Sequence, residues 1–494
     1  MKKVAIIGAG ISGLAAGVYA AQSGFDTTIY ESHSIPGGAS TSWRRGGYLF
    51  EGGMHWLTGS SPKTQLNRFW REVGALNDSV PIYNRDPFFT FELEGQSACL
   101  YRDAETLRQH FLSISPADKE EIDRLCGDIK KFSRVQMPLT DVKGVKVKNK
   151  SKVPVSLLFG MLPAIPRMGY YARMSSAEYA ARYKSPLLRM LLENSIGPDY
   201  AATGLLFTIA TLYSGDGGYP AGGSLAMARR MAEKFLSLGG NIRYNTAVEQ
   251  VSVTNGVAGG VIVKGERIPA DAVVVTQDTL SAIDTLFSEP IREPWAEKMR
   301  KNTKPMLNTY LCLGVEADLS DLPENVSFLA DEPVDCGNIR ANVIGFNNYA
   351  RYEGYAPKNC TALTAAIMGD SYDFWKECKA AGTYEAEKAK LAQAYIRALC
   401  AHYPQIEGKV AVWDVATPLT YERYLGSFKG SWMTLMEKGQ GNVSYPSKPD
   451  SIQNVYFAGQ RLTTPGGLPV ALETGRKAIQ YLCLDADAVF QGAL

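Results

Sequence analysis

The feature that most constrains this chain stands at its beginning. Val4-Ala5-Ile6-Ile7 is a short continuous apolar run, the pattern of a strand buried on both faces. Gly8-Ala-Gly10-Ile-Ser-Gly13 follows at once, and Leu14 to Ala21 continues at helical period. Gly24 ends the helix, and Thr27-Thr28-Ile29-Tyr30 forms a second strand closing on Glu31. Each residue type has a physical task. Gly8 permits the tight turn, Gly10 lets main chain approach a pyrophosphate, and Gly13 lets helix and strand pack closely. The helix start at Ile11 and Ser12 offers free N–H groups to phosphate. Glu31 would accept hydrogen bonds from ribose hydroxyls and repel a 2′-phosphate. The glycines alone are a weak signal, but strand before, helix after and acid beyond make them a Rossmann-like α/β element. The element by itself leaves NAD and FAD both open.

At 494 residues the chain exceeds a single compact core, so two or three domains are expected. A formal net charge of +2 gives no overall reason to expect a nucleic-acid partner. The eight cysteines include no C-x-x-C pair and fit neither a zinc site nor a small disulfide framework, so no metal is expected. They read as reduced, mostly buried thiols of a cytoplasmic protein. Lys2-Lys3 before an Ala-rich stretch imitates a signal peptide, yet cleavage after Ala21 would remove the whole nucleotide-binding element. No run reaches the ~20 apolar residues of a spanning helix.

Two further segments narrow the choice of cofactor. Pro36-Gly37-Gly38-Ala39-Ser40-Thr41 and Gly46-Gly47-Tyr48-Leu49-Phe50-Glu51-Gly52-Gly53-Met54-His55-Trp56 follow Glu31, where glycine pairs let main chain run against an extended ligand. Near the other terminus, Asn454 to Gly459 reads as a strand ending in glycine, Thr463 to Pro469 as a glycine loop, and Val470 to Leu482 as a helix. Two phosphate-type elements at opposite ends of the sequence suit one long dinucleotide held by both. Together with Tyr219-Pro220-Ala221-Gly222-Gly223-Ser224, Gly239-Gly240-Asn241-Ile242, Ala247-Val248-Glu249-Gln250-Val251 and Thr417 to Tyr424, these segments resemble the phytoene desaturase, carotenoid isomerase and retinol saturase family of flavoproteins. The likeness spans nearly the whole chain in order. It implies non-covalent FAD, with Gly8, Gly10, Ile11, Ser12, Gly13, Glu31, Gly37, Gly38, Ala39, Ser40, Gly53, Met54 and His55 on the cofactor. It also implies Val248 main chain near adenine, and Gly459, Gln460, Gly466, Gly467, Leu468 and Pro469 near pyrophosphate and isoalloxazine. The family commonly has Asp where Glu51 stands, and many related flavoproteins have an acid where Gln460 stands. No second glycine fingerprint follows an isolated strand, so a resident nicotinamide site is not expected and the electron partner stays open.

The expected fold is a discontinuous Rossmann-like FAD-binding domain (1–70, 215–290 and 450–485), a mixed-sheet substrate domain (75–103 and 291–449) and a helical lid (104–214). Strands are expected over 86–101, 306–316, 340–347 and 360–369. Lys143, Lys146, Lys148, Lys150 and Lys152 precede the apolar run from Val153, with Arg167 and Arg173 beyond. Residues 143–173 read either as a peripheral membrane contact or as a solvated lysine loop beside a buried helix. Of four histidines, His55 is the candidate proton donor or ring-orienting group, with a purely structural histidine as the other reading. Trp56, Tyr213, Tyr219, Tyr421 and Tyr424 are candidate lining residues. The resemblance implies desaturation, saturation or isomerisation of C–C or C=C bonds in a hydrophobic isoprenoid or polyene. An amine oxidase acting on a C–N bond and a non-catalytic flavin and lipid carrier are the alternatives.

Overall fold

A computed structural model describes residues 1–136, 139–148, 159–441 and 443–492. Its organising element is a five-stranded sheet built from distant stretches of chain. We label the strands β1 (Lys3–Ile7), β2 (Asp26–Tyr30), β3 (Asn241–Arg243), β4 (Ala272–Val275) and β5 (Val455–Phe457). They lie in the order β3-β2-β1-β4-β5 with every pairing parallel. Because side chains alternate between faces of a strand, Val4, Ile6, Ala272 and Val274 share one core while Ala5, Ile7, Val273 and Val275 share another. The first core is closed by helices α1 (Ile11–Gln22), α2 (Gly223–Ser237) and α3 (Gly467–Asp485). The second is closed by an antiparallel meander of Gln250–Thr254, Val257–Val263 and Glu266–Pro269. Burial on both sides explains why β1 and β4 read as unbroken apolar runs.

Residues 305–306 aside, the middle of the chain forms a seven-stranded mixed sheet. Its order is Val410–Ala416, Asn308–Val315, Thr361–Met368, Ile339–Asn348, Asn325–Cys336, Phe89–Leu93 and Gln96–Leu100. Only the pairing of Asn325–Cys336 with Phe89–Leu93 is parallel. Helix Tyr384–His402 packs its Leu391, Tyr395 and Leu399 into this sheet's core. Two of its strands, Asn325–Cys336 and Val410–Ala416, were not among those expected. The first is bulged between Leu329 and Val334, and the second is half-exposed with its register shifted near Gly314. Irregular strands of this kind lose the clean alternation that marks a half-buried strand.

The described residues of 104–213 are mainly helical, with Leu107, Phe111, Ile122, Leu125, Leu188 and Leu205 in a common core. The proposed membrane-contact stretch falls partly outside the described residues, Lys150, Lys152 and the apolar run from Val153 to Leu158 among them. Within the described part, Lys146 pairs with Asp487 at 2.6 Å. Arg167 does not extend the basic run as expected. It is drawn inward to the buried carboxylate of Asp128, which Tyr171 also engages at 2.8 Å. Among the described residues no helix is long and apolar enough to cross a membrane, and no His, Cys, Asp or Glu cluster suits a metal ion.

Candidate cofactor and substrate site

The first half of the site forms where β1 runs into α1. Gly8 N–H donates to the Tyr30 carbonyl at 2.8 Å, which ties the turn to β2. A Cβ on Gly13 would lie 1.9 Å from the Gly8 carbonyl oxygen, so helix and strand approach closer than any side chain allows. Gly10 differs. A Cβ there would meet nothing nearer than the Gly37 carbonyl at 3.9 Å. Gly10 is the N-cap of α1, and no side chain caps the helix, so the N–H groups of its first turn, beginning at Ile11 and Ser12, have no intrahelical partner. The Gly37-Gly38 pair passes directly over this turn, with Gly37 N–H on the Ala9 carbonyl at 2.8 Å. Ser40 is buried beside it, and its hydroxyl has no partner among the described residues. Gly53 lies against Ala39, where a Cβ would sit 2.3 Å from the Ala39 carbonyl. Glu31 closes β2 as a buried carboxylate that accepts from Ala9 N–H at 2.6 Å and His33 N–H at 2.8 Å. The Glu31 carbonyl accepts from Thr246 N–H at 2.8 Å, which brings the extended segment through Val248 alongside it.

The second half comes from the far end of the chain. Two residues beyond β5 stands Gly459, whose N–H donates to Thr474 of α3 at 3.0 Å. Thr279, buried with an unpartnered hydroxyl, lies 3.8 Å from where a Cβ of Gly459 would be. Gln460 is a brace. Its Nε2 donates to the Trp432 carbonyl at 2.7 Å, and its Oε1 accepts from Gly467 N–H at 3.1 Å. The Gly466-Gly467 turn then opens α3, with Leu468 and Pro469 in its first turn and no side-chain cap on its N-cap. α1 and α3 touch where Gly475 faces the Ser12 carbonyl, a Cβ there lying 2.5 Å from it. The start of α1 therefore meets the third turn of α3, about 12 Å along the helix from Gly467.

A third glycine turn, Gly222-Gly223, opens α2, but its N-terminus is already occupied. Glu51, only 1% exposed, accepts from Ser224 N–H at 2.9 Å, from Tyr219 Oη at 2.6 Å, and from Gly53 and Met54 N–H at 2.9 and 3.2 Å. The protein's own carboxylate takes the place an anionic ligand holds at other helix starts. The same loop is clasped at its far end by buried Asp216, which accepts from Gly59 N–H at 2.7 Å, Ser61 N–H at 2.8 Å and Ser60 Oγ at 3.0 Å. Between the two carboxylates stand His55 and Trp56, their rings 6.5 Å apart. Burial, and then the nearby Arg85 guanidinium, lower the His55 pKa to about 4, so its imidazole is neutral at physiological pH.

The candidate lining residues divide. Trp56 packs edge-on to Phe88 at 5.5 Å, where the loop meets the helical region. Tyr213 packs against the same helical core, and Tyr421 against the core beneath α1. Tyr219 is fully buried in the Glu51 network instead of lining a free surface. Tyr424 is 43% exposed and packs edge-on to His33 at 5.0 Å, because its short helix, Pro418–Leu425, ends near the rim of the parallel sheet. Asp216, Thr279 and Arg85 stand in this region although no motif announced them, and Ser224 was read only as part of the Tyr219 to Ser224 segment. A groove of about 530 Å³ lined by Tyr101, Asp103 and His110 involves none of these residues.

Known proteins with a similar sequence and fold identify the family. The model of a family described as flavin containing amine oxidoreductase matches residues 11–483. Among curated relatives, the phytoene desaturase (neurosporene-forming) of Rhodobacter capsulatus is 26% identical over 60% of this chain and 56% of its own length. The chain thus aligns with little more than half of that relative. The chloroplastic prolycopene isomerase of Daucus carota is 22% identical over 92% of this chain and 75% of its own. The 4,4′-diapophytoene desaturase of a Methylomonas species is 20% identical over 96% and 94%. A solved putrescine oxidase bound to putrescine superposes with TM-score 0.62 at 16% identity, covering 98% of this chain and 99% of that one. An oxidoreductase of Methanosarcina mazei superposes with TM-score 0.58 at 17% identity, covering 96% and 98%.

Proposed function

Because the chain belongs to the flavin containing amine oxidoreductase family and is an FAD-dependent oxidoreductase, we propose that it acts on carbon–carbon bonds of a hydrophobic, unsaturated chain, by desaturation, saturation or isomerisation. The residues present fit FAD. The main chain at Gly10 has room that the protein does not fill, the buried Ser40 and Thr279 hydroxyls lack partners among the described residues, and the start of α1 carries no side-chain cap. In this reading α1, Gly37 to Ser40 and the α3 start hold the pyrophosphate, Glu31 the ribose, and Val248 main chain the adenine. Gly53 to His55 and Gly466 to Pro469 stand at the isoalloxazine. The stretches 1–70, 215–290 and 450–485 form the flavin-binding unit. When bound, FAD supplies two-electron chemistry at its ring. The chain supplies position and exclusion of water, with neutral His55 able to donate or accept one proton.

The observation that favours this over C–N oxidation is the loop from Thr463 to Pro469, which carries no aromatic side chain to flank an amine. Anaerobic photoreduction of the flavoprotein, followed by addition of polyenes or amines, separates the two. A polyene that is saturated should restore the oxidised bands of the photoreduced protein and one that is desaturated should bleach the oxidised flavin, in either case at a rate without an inflection near pH 6.5, whereas amines should not bleach the oxidised flavin. Amine-driven bleaching would overturn the reading.

An exposed apolar face on the helical region supports, as a second part of the proposal, substrate entry from a lipid surface. Phe159, Leu162 and Ile165 recur every third position and are 67%, 54% and 55% exposed, with Lys146 and Lys148 near them in sequence. The protein should sediment with anionic vesicles at low salt, and Leu162→Asp should reduce the bound fraction severalfold. Retention in the supernatant at low salt would exclude this surface.

A further inference from the structure

Arg85 is an unusual residue to find inside a protein that handles hydrocarbon. Its side chain is 3% exposed. Nε donates to Tyr352 Oη at 2.7 Å, Nη1 reaches Asn347 Oδ1 at 3.4 Å, and Nη2 has no acceptor among the described residues. The rings of Tyr219, Tyr349 and Tyr352 lie 5.5, 5.8 and 5.4 Å from the guanidinium carbon, so aromatic faces fix the cation in place. Among the described residues the one carboxylate within ion-pair distance is Glu324, at 3.5 Å from Nε. That carboxylate is shared, since it also accepts from Tyr352 Oη at 2.8 Å and pairs with exposed Arg351 at 3.4 Å. Two cations share one carboxylate, and Nη2 of the buried one has no acceptor among the described residues.

The position of Arg85 gives that charge a use. It lies between strands Ile82–Tyr83 and Phe89–Leu93, where the flavin-binding unit, the mixed sheet and the helical region meet. Phe88, three residues on, packs against Trp56 beside His55. The charge of Arg85 reaches His55, as the lowered basicity of that imidazole records. A chain of pure hydrocarbon offers Nη2 no acceptor, and an unpaired charged donor in a dry site opposes binding. An end-on carboxylate supplies the acceptor in the planar geometry a guanidinium prefers.

Building on the polyene reading above, we propose that Arg85 receives the carboxylate of an unsaturated acid, so that the substrate is amphiphilic and enters with its anionic end fixed and its double bonds extending past His55 and Trp56. The source of the carboxylate, a straight-chain polyenoic acid or an isoprenoid one, is for experiment to distinguish.

The test titrates the oxidised holoenzyme with linoleate, retinoate, their methyl esters and a polyene hydrocarbon, reading the perturbation of the flavin absorption bands. At least one acid should bind about tenfold or more tightly than its own ester, as expected for a charge-assisted hydrogen bond. Whichever acid shows the larger preference identifies the chain type. In Arg85→Gln the acid should fall to the affinity of the ester while the ester is unchanged. Should that variant fail to fold, the acid–ester comparison on the unaltered protein decides alone. Equal binding of acid and ester overturns the carboxylate assignment and leaves the polyene reading standing. Failure of every ligand to perturb the flavin overturns both.

Discussion

Gly10→Val should give a folded protein that purifies without yellow colour, whereas Gly13→Val should compromise the fold itself. The two glycines belong to one motif but answer to different constraints. At Gly13 the constraint is internal. A Cβ there would stand 1.9 Å from the Gly8 carbonyl oxygen and 2.8 Å from Thr276 Oγ1, so β1 and α1 would have to separate. Overpacking at a backbone contact of this kind costs more than about 3 kcal/mol, the upper end of what cores usually absorb. At Gly10 the backbone is extended (φ −69°, ψ 177°), a conformation open to any residue, and its Cβ would meet only ordinary contacts near 3.9 Å. The side chain would instead fill the space over the uncapped start of α1. Flavin affinity should fall at least a hundredfold, about 2.8 kcal/mol. The apoprotein's melting temperature should stay within a few degrees of the unaltered apoprotein. The ratio of flavin to protein absorbance, read beside circular dichroism and thermal melting, checks both halves. A fully yellow Gly10→Val protein would refute the cofactor placement. A Gly13→Val protein melting like the parent would refute the claim that helix and strand need the glycine.

The same contrast shows what could be read from the sequence and what could not. The parallel sheet was legible because β1 and β4 are buried on both faces, and Val4 to Ile7 and Ala272 to Val275 therefore appear as unbroken apolar runs beside glycine turns. The helix starts at Ile11 and Gly467 were legible for a related reason, since glycine at a strand end signals a backbone that must bend sharply or be approached closely. The clasps around the His55 loop left no local trace. Asp216 meets Gly59 and Ser61 across more than 150 positions, and Arg85 meets Tyr352 across 267. A single acid or arginine in a turn carries no period, and its partners are fixed only when the chain has folded. The glycine pair at 222–223 misleads in the opposite direction. It has the composition of a phosphate turn, yet Glu51 fills that helix start from within the protein.

Glu51 therefore carries the second large expectation. Its carboxylate accepts three main-chain N–H groups and one tyrosine hydroxyl, of which those of Met54, Ser224 and Tyr219 are buried and that of Gly53 is partly exposed. It also holds the segment that bears His55 against the start of α2. Glu51→Leu keeps the volume and removes every acceptor, leaving the buried amides of Met54 and Ser224 unpaired while that of Gly53 can turn to solvent. Each buried donor left without a partner costs about 1–3 kcal/mol, and Tyr219 can recover part of its loss by turning fully to Tyr355. A net destabilisation of about 4 kcal/mol is expected, which lowers the melting temperature by about 10 °C in a domain of this size. Glu51→Asp retains the charge and should recover most of that loss, because the acceptors are shortened by one methylene and not abolished. Glu51→Gln should fall between, since its amide nitrogen turns a donor toward groups that are themselves donors. Flavin fluorescence separates a local from a global effect. If the loop is the element held, Glu51→Asp should bind flavin with normal stoichiometry but an altered fluorescence yield, while its far-ultraviolet circular dichroism is unchanged. A Glu51→Leu protein that melts within about 1 °C of the parent would show that these amides find other partners, and that the carboxylate does not fix the loop.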